Sequence, residues 1–231
     1  MIANLAPLER PVWSLLNGPQ AHLATVSGQA ARIDPRYGPF AAAADQGIAA
    51  QADLAGLVRS SDDQLWLVEA EQWPAPPGTQ IARIAPLIQM VAEGEGETNV
   101  TDPEIVPLGL AHVEAMTELA LATEPGPWRE STHQYGQFFG IFDGSKLAAM
   151  AGERMRPGPG LAEVSGVCTW PEYRGQGMAR RLIERVMAAQ RARGDTPFLH
   201  SYAGNEAAIG LYQRLGFVTA RSMVVTVLAS S

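Results

Sequence analysis

With 231 residues, 46% of them hydrophobic and 18% charged, the chain has the composition of a globular protein and not of a disordered one. Its net charge of −7, with 5 Lys+Arg against 11 Asp+Glu in residues 1–100, excludes a broad basic surface for nucleic acid or anionic lipid. A single cysteine, Cys168, excludes an internal disulfide and a Cys-rich metal site, and His22, His112, His133 and His200 show no ligand spacing, so no metal is expected.

No apolar run reaches the length of a bilayer span, and the first 25 residues lack the basic start and apolar core of a leader. The expectation is a soluble cytoplasmic protein with no membrane partner. Nothing in the pattern speaks to oligomeric state.

In chain order, "LERPVWSLLN" and "QADLAGLVRSS" have helical spacing, whereas "AHLATVSG" and "DQLWLVEA" alternate or run apolar as strands do. "PAPPG", residues 74–78, is a loop. "AEGEGETNVTDPE", residues 92–104, is acidic and aperiodic, and reads as the connection between two halves. Its Gly-x-Gly does not suit a phosphate, because Glu93, Glu95 and Glu97 would repel one. The boundaries expected are 1–95 for a smaller N-terminal α/β half and 104–231 for a second domain. The first half carries no catalytic constellation, and its aromatics read as core.

Beyond the connection, "EIVPLG" reads as a strand and "LAHVEAMTELALATE" as an amphipathic helix. "FFGIFDGSKLAAMAGERM" has a hairpin pattern around Asp143-Gly144. A strand follows at "LAEVSGVCTW" and another at "PFLHSY". A helix opens at Asn205 and stops at Gly216, and "FVTARSMVVTVL" closes the chain as strand. The sum is an α/β fold whose sheet has antiparallel sections.

Arg174-Gly175-Gln176-Gly177 sits between the strand ending at Trp170 and a helix that begins at Met178. That helix has apolar residues at 178, 179, 182, 183, 186 and 187 and charges opposite. The first amides of a helix lack intrahelical acceptors and carry partial positive charge, and glycines let the backbone approach a bulky anion. Six arginines between Arg174 and Arg193 add to that field. The loop is therefore a candidate phosphate cradle. It has no Walker Lys-Ser/Thr and no third dinucleotide glycine, which disfavours a nucleotide triphosphatase or a dehydrogenase.

These residues resemble the signature of the GNAT acetyltransferases. "YRGQGMARRL" matches the pattern of Arg or Gln, two residues, Gly, one residue, then Gly or Ala, with Arg174, Gly177 and Ala179 at the defining positions. A second family pattern matches Asn205, Ala208, Leu211-Tyr212 and Gly216-Phe217. The resemblance covers residues 104–228 and implies a mixed, mostly antiparallel central sheet flanked by helices, with acetyl-CoA as co-substrate. The N-terminal half carries neither pattern; by family analogy it is a degenerate copy of the same fold.

The resemblance implies a cofactor site of Val167, Cys168, Thr169, Arg174, Gly175, Gln176, Gly177, Met178, Ala179, Asn205, Ala208 and Tyr212. It also implies direct acetyl transfer to the amine of a small molecule or peptide. Glu163 stands six residues before Thr169, where histone-type members carry a glutamate, and is the candidate base. Strand parity puts it on one face with Ser165, Val167 and Thr169, and partial burial is expected to raise its pKa. Tyr212 is the candidate acid for the departing thiolate. Asn205 also suits a helix N-cap. Cys168 could take the acetyl group covalently, but a lone strand cysteine reads first as a small buried hydrophobe. Trp128, Glu130, His133 and Tyr135, in the family's specificity segment, are the substrate-binding candidates. The competing reading is an acyl-CoA-binding regulatory module without catalysis.

Overall fold

The computed structural model describes residues 4–231. The N-terminal segment opens with helix α1 (Pro11–Leu16), started by a proline at its first position, where the missing N–H costs nothing. Strands β1 (Ala24–Ser27), β2 (Ala30–Ile33) and β3 (Ala41–Ala43) form a small antiparallel sheet. Helix α2 (Ile48–Ala55), strand β4 (Gln64–Glu69) and the long strand β5 (Thr79–Ala92) follow. "AHLATVSG" is a strand only from Ala24, after one turn of 3₁₀ helix at Ala21–Leu23.

Past the acidic connection come β6 (Ile105–Leu108), α3 (Val113–Thr123), β7 (Phe138–Asp143), β8 (Lys146–Glu153) and β9 (Leu161–Thr169). Then follow α4 (Met178–Ala192), β10 (Thr196–Tyr202), α5 (Glu206–Arg214) and β11 (Phe217–Ser230). The β7–β8 hairpin closes with Asp143 opposite Lys146, and Gly144 takes the positive φ of 58° that the turn requires.

One eight-stranded sheet runs in the order β4-β11-β5-β10-β9-β8-β7-β6, parallel only between β9 and β10. The mixed, mostly antiparallel sheet expected from the sequence is the observed one. On one face α4 seals the core with Leu182, Ile183, Val186 and Met187, each at most 2% exposed. Each such side chain contributes about 1.5–3 kcal/mol by leaving water. On the other face lie α3, with Met116, Leu119 and Ala120, and α1 with the small sheet.

β5 was not expected at all. It lies between β10 and β11, paired with β11 from Phe217↔Ala92 to Ser230↔Thr79 and with β10 from Phe198↔Val91 to Tyr202↔Leu87. Pro86 is tolerated because β10 ends opposite it; its carbonyl accepts from Ala203 N at 3.0 Å just past that end. The anticipated division at residues 95–104 falls on the connection from β5 to β6, yet the sheet crosses it. β4 and β5 hydrogen-bond to β11, and β5 to β10.

Candidate active site

β9 and β10 pair over three positions, Leu161↔Thr196 to Glu163↔Phe198, and then part, although β9 runs on to Thr169 and β10 to Tyr202. The backbone edges beyond Glu163 and Phe198 therefore face each other across a gap. A cavity of about 510 Å³ opens there, bordered by both strands, the glycine loop, α5, the residues after α3 and part of the N-terminal segment.

A bulge shapes the β9 edge. Register shifts from Met150↔Cys168 to Gly152↔Ser165, and Gly166 holds φ at 61°. A Cβ on Gly166 would stand 2.8 Å from the Phe138 ring, so glycine is needed for space as well as for conformation. The extra residue reverses side-chain parity. Val167 packs with Val164 toward α4, whereas Cys168 turns toward α3. The expected common face for Glu163, Val167 and Thr169 is therefore corrected.

In the loop, Gly175 and Gly177 hold φ at 78° and 77°, with Gly177 at the N-cap of α4. Apart from the neighbouring stretch of chain, no heavy atom lies within 4 Å of the point a Cβ would occupy on either glycine. The backbone demands glycine, while the space above it stays open, as an anion cradle requires. Of the arginines nearby, Arg181 is held by Asp102 at 2.7 Å and Glu104 at 2.6 Å, and Arg180 by Glu184 at 2.9 Å. Arg174 borders the cavity and forms no ion pair among the described residues.

α5 supplies the opposite lip. Asn205 caps it, its Oδ1 accepting from Ala208 N at 3.2 Å. Tyr212 borders the cavity, half-buried and edge-on to Phe217 at 6.0 Å. Burial pushes its phenol up to about 12, so it is a proton donor at neutral pH. Cys168 is buried, and its thiol is likewise pushed up to about 12, which leaves it a poor nucleophile. Thr169 Oγ1 is buried at the cavity wall without a hydrogen-bond partner.

Glu163 departs from expectation. It is wholly buried, and Arg154 Nε and Nη2 donate to its two oxygens at 2.9 Å each. Met155 N donates at 3.2 Å, and His200 Nδ1 lies 2.8 Å from Oε1. Desolvation alone would raise its pKa, but the Arg154 charge and the His200 and Arg154 hydrogen bonds prevail and hold it down to about 2. It is thus a weak proton acceptor, contrary to the raised pKa expected. His200 Nε2 lies 3.0 Å from Gln89 Nε2, so the ring bridges Glu163 and Gln89.

Comparison with known proteins accords with this geometry. A family model described as FR47-like protein matches residues 138–225. The N-alpha-acetyltransferase RimI of Mycobacterium tuberculosis is 32% identical over 111 residues, 45% of this chain and 69% of that protein. A crystal structure from Novosphingobium aromaticivorans, described as an acetyltransferase from the GNAT family, is 56% identical. It aligns over 97% of this chain and 99% of its own, with a TM-score of 0.93. The chain belongs to the GNAT family of acetyltransferases. A GCN5-related N-acetyltransferase from Kribbella flavida, 19% identical over 100% of this chain and 96% of its own, shares the GNAT fold with a TM-score of 0.62.

Of the GNAT residues expected at the cofactor site, Val167, Cys168, Thr169, Arg174, Gly175, Ala179, Asn205, Ala208 and Tyr212 all border the cavity. Gln176, Gly177 and Met178 do not: Gln176 donates to the Glu172 carbonyl at 3.4 Å, Gly177 is the N-cap of α4, and Met178 packs into the core beneath that helix. The four substrate-binding candidates do not border the cavity. Trp128 is core, edge-on to Phe138 at 5.6 Å; Tyr135 is buried against Tyr37 at 5.3 Å; Glu130 is exposed. Both ring nitrogens of His133 are buried without partners. In their place stand Pro125, Gly126 and Pro127 from the same segment, and Phe40, Trp66 and Val68 from the N-terminal segment. The N-terminal residues have no motif by which the sequence alone could have singled them out.

Among the described residues no helix is long and apolar enough to cross a membrane, and no group of three or more His, Cys, Asp or Glu is placed to hold a metal.

Proposed function

We propose that this GNAT acetyltransferase moves an acetyl group from acetyl-CoA directly to a primary amine, the two substrates meeting in the gap between β9 and β10. The observation that carries this is the gap itself, flanked by the open glycine loop on one side and a half-buried, protonated Tyr212 on the other. The amides of Gly175 to Ala179 and the Arg174 guanidinium would hold the pyrophosphate, each charge-assisted bond contributing about 1.5–3 kcal/mol. Asn205 would face the cofactor while capping α5.

In the transfer, the amine nitrogen forms a bond to the thioester carbonyl carbon and the carbon–sulfur bond breaks. A backbone N–H between Val167 and Thr169 stabilises the oxyanion, and Tyr212 gives its proton to the departing thiolate. The amine attacks in its neutral form, its extra proton having gone to solvent, and the N–H proton released on amide formation returns through solvent to the Tyr212 phenolate, so the phenol is restored. Glu163 is a positioning residue, held in its ion pair with Arg154 beside His200, and is not the base. Cys168 stays a neutral thiol at the wall.

Calorimetric titration with acetyl-CoA tests the cradle. Micromolar binding is expected in the native protein, with at least a 50-fold loss in Gly177→Glu, which removes the positive-φ residue and puts a carboxylate where the anion belongs. Equal binding in both proteins would sink the cradle. For the acid, Tyr212→Phe is expected to lower kcat about 100-fold, within the range general-acid catalysis supplies, with the acetyl-CoA Kd moving less than twofold. Unchanged kcat would remove Tyr212 from the mechanism. Turnover of any amine would exclude the catalytically silent acyl-CoA-binding alternative.

A further inference from the structure

We infer that the acceptor end of the cavity takes a primary amine with one positive charge and an aromatic or bulky apolar body, recognised by a wall that the N-terminal segment supplies. This rests on the acetyl-transfer reading above.

The cavity passes through the sheet. Ala179, Ala208 and Tyr212 border it on the α4 and α5 side. On the other side its border is Phe40, Trp66, Tyr202 and Val225, with Arg154 among them. Phe40 and Trp66 meet edge to face at 6.5 Å and 82°, and Trp66 N donates to the Pro39 carbonyl at 2.8 Å. The Arg154 guanidinium lies over the Phe40 ring at 5.0 Å. These contacts lock the rings before any ligand arrives, so a flat apolar body finds a preformed surface and orders little on entry.

Charge narrows the class. Arg154 is neutralised by Glu163, and among the described residues Glu124 is the sole carboxylate bordering the cavity. Glu124 also holds φ at 48°, the one positive value among described non-glycine residues, at the C-terminal cap of α3. One ammonium is matched by that carboxylate. A second cationic group would have no carboxylate among the described residues of the cavity wall. Polyamines and polycationic sugars are excluded on this ground, and a monoamine with an aryl or bulky alkyl body fits.

The test is fluorine NMR titration of 4-fluorophenethylamine into the full chain, with and without acetyl-CoA. Sub-millimolar binding is expected, weakened at least tenfold in both Trp66→Ala and the bulk-preserving Trp66→Leu. Spermidine is expected to displace the probe at least 30-fold less well than phenethylamine. No binding, equal binding in Trp66→Leu, or displacement by spermidine at equal concentration would overturn the assignment. The acetyl-CoA titration fails or succeeds separately, because probe binding is also read without cofactor.

Discussion

Residues 104–231 expressed alone are expected to show no cooperative unfolding transition and to be recovered largely insoluble. Cutting at the acidic connection removes β4 and β5, the two strands that flank β11. β11, 14 residues long, would then have no partner, and β10 would keep only its three pairs with β9. Long unpaired apolar edges drive aggregation. Val225, Val227 and Leu228, each at most 2% exposed in the full chain, would face water. Supplying residues 1–103 as a separate chain during refolding is expected to restore a soluble complex. A fragment with native circular dichroism and a single sharp urea transition would show that β5 is dispensable.

Glu163→Gln is expected to destabilise the protein by about 3–5 kcal/mol at neutral pH, the usual cost of removing one partner from a buried ion pair. The cause is the uncompensated Arg154 guanidinium, whose side chain is 12% exposed against 0% for Glu163. The double variant Arg154→Met/Glu163→Leu should recover most of the loss, since it buries no charge. The sign of the pH dependence follows from the folded pKa of about 2 against 4.5 in the unfolded chain. Because the folded value is depressed, the carboxylate's contribution is complete above pH 4.5 and is lost as pH falls toward 2. The deficit of Glu163→Gln relative to the native protein should therefore shrink across that window. Urea midpoints at pH 7 and pH 3 measure it, and a deficit independent of pH would mean that Glu163 acts through packing alone.

Glu163 was visible by its offset from Thr169, but its chemistry was not. Burial argued for a raised pKa, and only the fold brought Arg154, nine positions away, and His200, 37 positions away, against its oxygens. β5 was invisible because Pro86 interrupts its apolar run and its first half is largely exposed, so neither strand alternation nor a continuous buried run stands out. The substrate candidates lie off the cavity for a related reason. Trp128 and Tyr135 are large aromatics in the right segment, but the turn around them folds inward and spends them on the core. The backbone of Pro125 to Pro127 is left at the cavity instead.

By itself the sequence determined the glycine loop, the amphipathic α4 behind it, the Asn205 cap with Tyr212 two turns on, and through them the family. Those features are local: a positive φ, a 3.6-residue period and a cap each depend on neighbours within a few positions. Tertiary structure alone decided the rest. The bulge at Gly166 reverses strand parity because register belongs to a pair of strands and not to one. The state of Glu163 is set by charges that only folding brings near. The wall of Phe40 and Trp66 reaches the site because β5 carries the first segment into the middle of the second segment's sheet, a pairing of strands more than 100 residues apart that no local pattern encodes.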